Sequence, residues 1–298
     1  MKGVAARTIF GLRRPINLNS QFSSGAISMA FKAYEGTSDC GSPLVALHAL
    51  LGSKEEWDRI CRGLSERSSR SIFATDLRNH GESPHCPEHD YPRLAEDLKL
   101  FLDQRGMGKA SLLGHSMGGN TAMYFSLKYP QLVDKVIVVD ISPVSVPLIL
   151  KSMFNSVTHM LNAQMPSQAL SMADARVHID DQLAKHIKEA NVRRHLLNNL
   201  IRKPDGSFAW RANSSTLVRD PYANFVTLPA KCFECKFDGS ILFLNGGDST
   251  FFPETDRSPI LQLFPNAEFQ TIQGAGHWPH LQKPYELLRA CADFLNKS

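Results

Sequence analysis

A serine between two closely spaced glycines is the feature of this sequence that most directly indicates chemistry. The stretch LLGHSMGGNTAMYF (112–125) puts Ser116 after an apolar run and before a segment with helical spacing. Gly114 and Gly118 stand two positions to either side, giving the pattern G-x-S-x-G. Between a strand and a helix this pattern is typical of a nucleophilic serine in a turn too tight for larger side chains. A serine in an ordinary glycine-rich turn is the alternative.

A histidine base must lie within hydrogen-bond distance, because a serine hydroxyl alone is a weak nucleophile. The chain order serine, acid, histidine directs the search to GAGHWPH (274–280), near the end of the chain. We predict that His277 is the base, since two glycines in its loop let it approach the serine. We expect His280 to pack or to face solvent.

Two backbone N–H groups are predicted to stabilise the negative oxygen that forms when the serine attacks a carbonyl. Met117 follows the nucleophile at the start of a helix, where N–H groups are unpaired. Leu50 lies in LHALLGS (47–53), which follows an earlier strand. Backbone donors of this kind form the oxyanion hole.

Seven short apolar runs, each closed by polar residues or glycine, predict the strands that position these groups. Runs without alternation suit strands buried on both faces of a parallel sheet. Segments with helical spacing, 94–106 and 120–130, lie between them and predict a doubly wound α/β fold. The predicted strand regions are 27–36, 42–53, 70–83, 109–119, 134–143, 239–247 and 267–276.

The middle of the chain has a different pattern. Residues 144–230 are predicted to form a helical cap inserted into a core made of 27–143 and 231–298. The clearest helical stretch within the cap is 180–203, which a PDG turn (204–206) follows. Residues 284–297 predict a closing amphipathic helix.

The charge of the chain is concentrated at its beginning. The net charge is +4 over 298 residues, and residues 1–34 carry five basic side chains and no acid, so the remainder has a net charge of −1. This distribution argues against a nucleic-acid partner. Residues 1–26 are predicted to be a targeting leader for the mitochondrion, with the matrix favoured, because they are Arg-rich and lack acids. A plain basic leader is the alternative.

No apolar run reaches 18 residues, so no membrane span is predicted, although peripheral contact with a membrane is left open. The six cysteines are scattered, and free thiols are expected. Cys232 and Cys235 form one C-x-x-C motif without a matching second pair, so no metal is expected. The predicted chemistry needs no cofactor.

These motifs resemble the α/β-hydrolase family, and within it the group of abhydrolase domain-containing protein 11 and related bacterial esterases. The resemblance is carried, in order, by LHALLGS, DLRNHGESP, GHSMGG, VVDISP and GAGHWPH, and by LLNNLIRKPDGSFAWRAN (196–213) in the cap. It covers about 27–295. The family usually has His-Gly where this chain has His48-Ala49, and we expect alanine to be tolerated if its φ is negative.

The resemblance also directs attention to the acid. The common family pattern after the later strand is G-x-x-D, but counting from Gly246 that position holds Ser249, and Asp248 is one residue short. The related esterases carry D-I-x-P at the end of the preceding strand, where this chain has Asp140. We therefore predict that Asp140 is the acid. If Asp140 only caps its turn, Asp248 takes the role.

Together these residues predict a serine hydrolase that cleaves carboxylic esters through an acyl-enzyme. Substrates are expected to be small acyl esters or lipids, since apolar cap residues such as Met153 and Phe154 can line an acyl pocket. The resemblance implies glycerolipids within this class. A non-catalytic ligand- or protein-binding member of the same fold is the alternative. In DLRNHGES, residues Asp76, Arg78 and His80 could suggest a metal cluster, but structural hydrogen bonding is favoured.

Overall fold

The computed structural model describes residues 25–36, 41–219 and 226–297. Most of the predicted leader, 1–24, lies outside the described residues. Seven strands of the described chain form one sheet: β1 (Phe31–Tyr34), β2 (Leu44–Leu47), β3 (Ile72–Thr75), β4 (Ala110–His115), β5 (Val133–Val139), β8 (Ser240–Gly246) and β9 (Ala267–Ile272). Their order across the sheet is β1-β3-β2-β4-β5-β8-β9, and all neighbours are parallel except β1 and β3. Each falls within or overlaps a predicted strand region.

Helices cover both faces of the sheet. The described α-helices outside the predicted cap are α1 (Asp58–Ser68), α2 (Tyr91–Asp103), α3 (Met117–Lys128), α8 (Arg257–Leu263), α9 (Pro279–Gln282) and α10 (Pro284–Asn296). Alternate residues of β2 belong to two separate apolar clusters: Val45 and Leu47 to one, Leu44 and Ala46 to the other. Because successive strand side chains point to opposite faces, each face has its own core. The predicted doubly wound, mostly parallel α/β sheet is confirmed.

Within the predicted cap, 144–230, the structure describes four helices and a hairpin. They are α4 (Ile149–Asn162), α5 (Met172–Leu183), α6 (Ala190–Leu197), α7 (Ser214–Leu217), β6 (Leu200–Arg202) and β7 (Phe208–Trp210). The helical stretch predicted over 180–203 is helical only in part. The helix ends near Leu183, a second begins at Ala190, and the last residues form β6, which pairs antiparallel with β7 around the PDG turn.

Buried ion pairs hold the loop after β3. The Arg78 guanidinium makes two hydrogen bonds to Asp97, at 2.6 and 2.7 Å, and neither side chain is exposed. Asp76 accepts hydrogen bonds from both the backbone N–H and the ammonium of Lys54, each at 2.7 Å. His80 Nδ1 donates to the Arg78 carbonyl at 2.9 Å. These contacts account for the DLRNHGES motif as structural hydrogen bonding.

Candidate active site

Ser116 lies in a tight turn between β4 and α3. Its φ of 51° and ψ of −115° are unusual for a residue with a side chain, and its N–H donates to the Val139 carbonyl at 3.0 Å. A Cβ on Gly114 would lie 2.2 Å from the Gly118 carbonyl oxygen, and one on Gly118 would lie 2.3 Å from that of Leu47. Both glycines of the motif are therefore required by close backbone approach, as the sequence predicted.

Asp140 occupies the equivalent position on the neighbouring strand. His115 and Val139 are register partners in the parallel pair β4 and β5, so Ser116 and Asp140 follow them side by side at the carboxyl edge of the sheet. Asp140 also has a positive φ, 52°, and its N–H donates to the Leu244 carbonyl at 2.9 Å. Two strained turns next to each other are typical of functional sites.

The Asp140 carboxylate is almost fully buried, with 1% of the residue exposed, and it accepts three hydrogen bonds. The Gly246 N–H donates to Oδ1 at 2.9 Å. The Ser249 hydroxyl and His277 Nδ1 both donate to Oδ2, at 2.5 and 2.7 Å. Ser249 stands where the common family pattern has its acid, and here its hydroxyl holds the Asp140 carboxylate at the end of the preceding strand.

His277 is held from several sides. Its Nδ1 faces Asp140, which is an acceptor, so Nδ1 carries the proton and Nε2 is left with a lone pair. The Phe251 ring stacks on the imidazole with centroids 3.5 Å apart. His115 Nε2 donates to the His277 carbonyl at 2.7 Å, which joins the histidine loop to the residue directly before Ser116. Burial keeps the pKa of His115 well below its ordinary value, so this donor is neutral.

Asp248, the alternative acid, lies apart from this arrangement. Its backbone N–H donates to the Ala275 carbonyl at 2.9 Å, and its side chain is exposed at a cavity that His277 also lines. The structure therefore brings Asp140 to the imidazole. His280 is buried, with its ring 5.1 Å from that of Trp57 and 4.8 Å from that of His115, so it packs as expected.

The two predicted oxyanion donors lie beside the serine. Leu50 and Met117 line the same cavity as Ser116. Met117 is the first residue of α3, so its N–H has no acceptor within the helix. Ala49 is not among the residues with positive φ, so alanine at this position causes no backbone strain.

Two cavities lie at this edge of the sheet. The one at Ser116 measures about 30 Å³ and is mostly apolar, with Ile141, Leu150 and Phe154 in its wall. The one at His277 measures about 210 Å³ and has polar groups in its wall, among them Ser152, Glu189 and Asn191. Met153 lines both cavities and lies on α4.

Sequence reasoning missed several of these contacts. Ser249 was noted only because it replaces an acid, and its bond to Asp140 had no signal in the sequence. Phe251 and His115 likewise depend on contacts across long stretches of chain. In the described parts of the chain, no group of three or more His, Cys, Asp or Glu side chains is arranged to hold a metal ion, and Cys232 and Cys235 are free thiols.

The sequence of this chain matches a known protein family. A family model for the alpha/beta hydrolase fold matches residues 42–284. The chain belongs to the α/β-hydrolase family. As in other members of that family, the strand-to-helix turn with its G-x-S-x-G pattern lies at the carboxyl edge of the sheet.

Relatives of this α/β hydrolase include lipases and esterases. It is 37% identical to the sn-1-specific diacylglycerol lipase ABHD11 of Mus musculus over 85% of this chain and 80% of that protein. It is 34% identical to Esterase YbfF of Escherichia coli over 86% of this chain and 93% of the esterase. A solved structure described as a marine microorganism esterase superposes with a TM-score of 0.80 at 31% identity, covering 90% of this chain and all of that one.

Proposed function

We propose that this α/β hydrolase is a serine esterase that cleaves carboxylic esters through an acyl-enzyme, with Ser116 as nucleophile, His277 as base and Asp140 as acid. The observation that carries the proposal is the Asp140 to His277 hydrogen bond of 2.7 Å, made at the strand end directly beside the Ser116 turn. The lipase and esterase relatives support the reaction class.

The mechanism follows from the protonation of the imidazole. Nδ1–H is held by Asp140, so Nε2 takes the proton of the Ser116 hydroxyl as its oxygen attacks the ester carbonyl. The N–H groups of Leu50 and Met117 stabilise the oxyanion. The imidazolium then returns the proton to the leaving alcohol, and water, activated by the same imidazole, releases the acyl group and restores Ser116.

The two cavities suggest how an ester is oriented. Because the leaving alcohol takes its proton from His277, the alcohol lies toward the larger cavity with polar walls. The acyl group lies toward the apolar cavity at Ser116. An apolar acyl group on a polar alcohol matches glycerolipid esters, and the diacylglycerol lipase relatives support this substrate class.

The test is hydrolysis of p-nitrophenyl esters from acetate to palmitate, and of a diacylglycerol, by the full chain and its variants. Loss of activity in Ser116→Ala and Asp140→Asn, with activity kept in Asp248→Asn, would support the assignment. Loss in Asp248→Asn and not in Asp140→Asn would move the acid to the later strand. A folded, unmutated protein without activity on any of these esters would favour the non-catalytic binding alternative.

The cellular location is a separate proposal. The acid-free, Arg-containing composition of residues 1–26 supports delivery to the mitochondrion. None of the helices within the described residues has both the length and the apolar character needed to cross a membrane. A fluorescent protein fused behind residues 1–34 should reach mitochondria, and cytosolic fluorescence would contradict this proposal.

A further inference from the structure

Two side chains of the predicted cap hold the loop that supplies the Leu50 N–H. His195, near the end of α6, donates from Nε2 to the Leu50 carbonyl at 2.8 Å. Asn199, two residues after α6, donates from Nδ2 to the Leu51 carbonyl at 2.8 Å. Both bonds are buried and join residues about 145 positions apart in the sequence. Two successive carbonyls of the oxyanion loop (residues 49–52) are therefore held by side chains of the cap.

The loop needs such support because its backbone is strained. Leu51 has a φ of 59°, in the left-handed region that disfavours a residue with a side chain. Its N–H donates to His80 Nε2 at 3.0 Å, and the Gly52 N–H closes a turn onto the Ala49 carbonyl at 2.9 Å. Strained backbone of this kind persists only where surrounding contacts over-determine it.

The partners of the His195 ring indicate a charged imidazole. Nε2 faces a carbonyl oxygen, and Nδ1 lies 3.4 Å from Glu56 Oε1. Both partners are acceptors, so a neutral ring, which carries one N–H, would turn a lone pair toward an oxygen. Only the imidazolium satisfies both. The side chains of His195 and Glu56 are 9% and 11% exposed, so an uncompensated charge at either would be costly.

The neighbouring groups are consistent with this charge state. Burial favours a lower pKa for His195, but the hydrogen bond and charge of Glu56 outweigh it, and the pKa is raised. Burial lowers the pKa of His48 and of His115, and lowers that of His280 to about 4, so these three imidazoles are neutral at physiological pH.

Other charges at this end of α6 are already paired or exposed. Glu55, next to Glu56, is exposed and lies 3.2 Å from the Lys54 ammonium. Arg194 borders the groove that His195 and Trp278 also line, and the rings of His195 and Trp278 are 5.7 Å apart. Glu56 is therefore the carboxylate that faces the His195 ring.

We propose that His195 is a positioning residue for the oxyanion hole: as an imidazolium paired with Glu56, it fixes the Leu50 carbonyl and, through the Leu50 Cα, helps to hold the adjoining peptide group that carries the Leu50 N–H. The inference rests on the proposed function. Below its raised pKa, His195 is charged and the loop is held. As pH rises through that pKa, a lone pair meets an acceptor oxygen, the loop loosens, and the catalytic rate falls.

The test compares pH profiles of kcat and KM for full-length Glu56→Gln, His195→Gln and the unmutated protein. Glutamine at 56 keeps the shape of the side chain and removes its charge, which leaves burial to lower the pKa of His195. We expect the alkaline limb of kcat to move to lower pH, kcat at neutral pH to fall about tenfold, and KM to stay nearly constant. A tenfold loss is less than removal of a whole oxyanion donor, which costs about 10²- to 10³-fold.

His195→Gln keeps an N–H donor for the Leu50 carbonyl but cannot titrate, so the alkaline limb that His195 causes should disappear. The matched control is Asp180→Asn. Asp180, on α5, forms a 2.8 Å ion pair with Arg193, which lies on the same helix as His195, so this change removes an ion pair of α6 without touching the oxyanion loop. It should leave the pH profile unchanged.

The alkaline limb decides the outcome. An unchanged limb in folded Glu56→Gln, or in His195→Gln, would overturn the inference. If the unmutated protein neither hydrolyses esters nor reacts with a fluorophosphonate, the proposed function itself fails. Melting curves of each variant separate loss of folding from loss of positioning, and a variant that unfolds leaves the decision to the other one.

Discussion

The carboxyl edge of the sheet and helix α4 both line the candidate site, but they are held very differently. Ser116 and Asp140 are 8% and 1% exposed, and each strained turn is held by a backbone hydrogen bond to a neighbouring strand. Helix α4 begins without a side-chain cap, and Leu148, just before it, is 97% exposed. The sheet edge is therefore fixed on all sides, whereas the exposed start of α4 can vary with little cost, and side chains further along α4 line the site and can set which esters fit.

Removing the nucleophile should have the largest effect. Ser116→Ala deletes the oxygen that we propose as nucleophile and leaves the core packing unchanged, because the side chain is small. We expect the rate of p-nitrophenyl ester hydrolysis to fall about 10⁶-fold with an unchanged melting temperature. Activity above a tenth of the unmutated rate would remove Ser116 from the mechanism.

Replacing the proposed acid should have the next largest effect. Asp140→Asn keeps the shape of the side chain but removes the charge that stabilises the imidazolium and fixes its tautomer, so kcat should fall about 10⁴-fold. Asp248→Asn is the matched control, since its exposed carboxylate lies at the cavity that His277 lines and does not hold the imidazole. Equal losses of kcat in both variants would contradict the assignment of Asp140, rather than Asp248, as the acid.

A change in α4 should alter substrate range more than rate. Met153 lines both cavities, so Met153→Ala should enlarge the small apolar cavity. We expect kcat/KM for longer acyl chains to rise about tenfold relative to kcat/KM for shorter ones. Met165→Ala, at an exposed cap position, is the control. An unchanged chain-length profile in Met153→Ala would show that α4 does not set the acyl limit.

The smallest effect is expected at the exposed start of α4. Leu148→Ser should change the free energy of unfolding by less than about 0.5 kcal/mol, because almost no buried surface is lost. Hydrolysis of a short, soluble ester should be unaffected. A large loss of stability, measured by urea unfolding, would mean that this segment is packed and would weaken the contrast with the sheet edge.

Much of the sheet could be predicted from the sequence because buried parallel strands leave continuous apolar runs. The cap was harder. The stretch 180–203 contains no glycine or proline, so nothing local marks the break after Leu183 or the change to strand at Leu200. Helix α1 was missed, although Ile60, Cys61 and Leu64 have helical spacing and are buried.

The residues of the candidate site also differ in how far the sequence predicts them. Ser116 and its glycines could be predicted because a tight turn limits residue types locally. The contacts of Ser249 with Asp140, and of His195 with Leu50, join positions more than 100 residues apart. No local pattern encodes them, and only the packing of strands and cap brings those atoms together.

The most direct test of the central claim is the reaction of the full chain with a fluorophosphonate, followed by peptide mass spectrometry. We expect one adduct, on Ser116, which forms much more slowly in Asp140→Asn and at the normal rate in Asp248→Asn. An adduct on another serine, or undiminished labelling of Ser116→Ala, would contradict it.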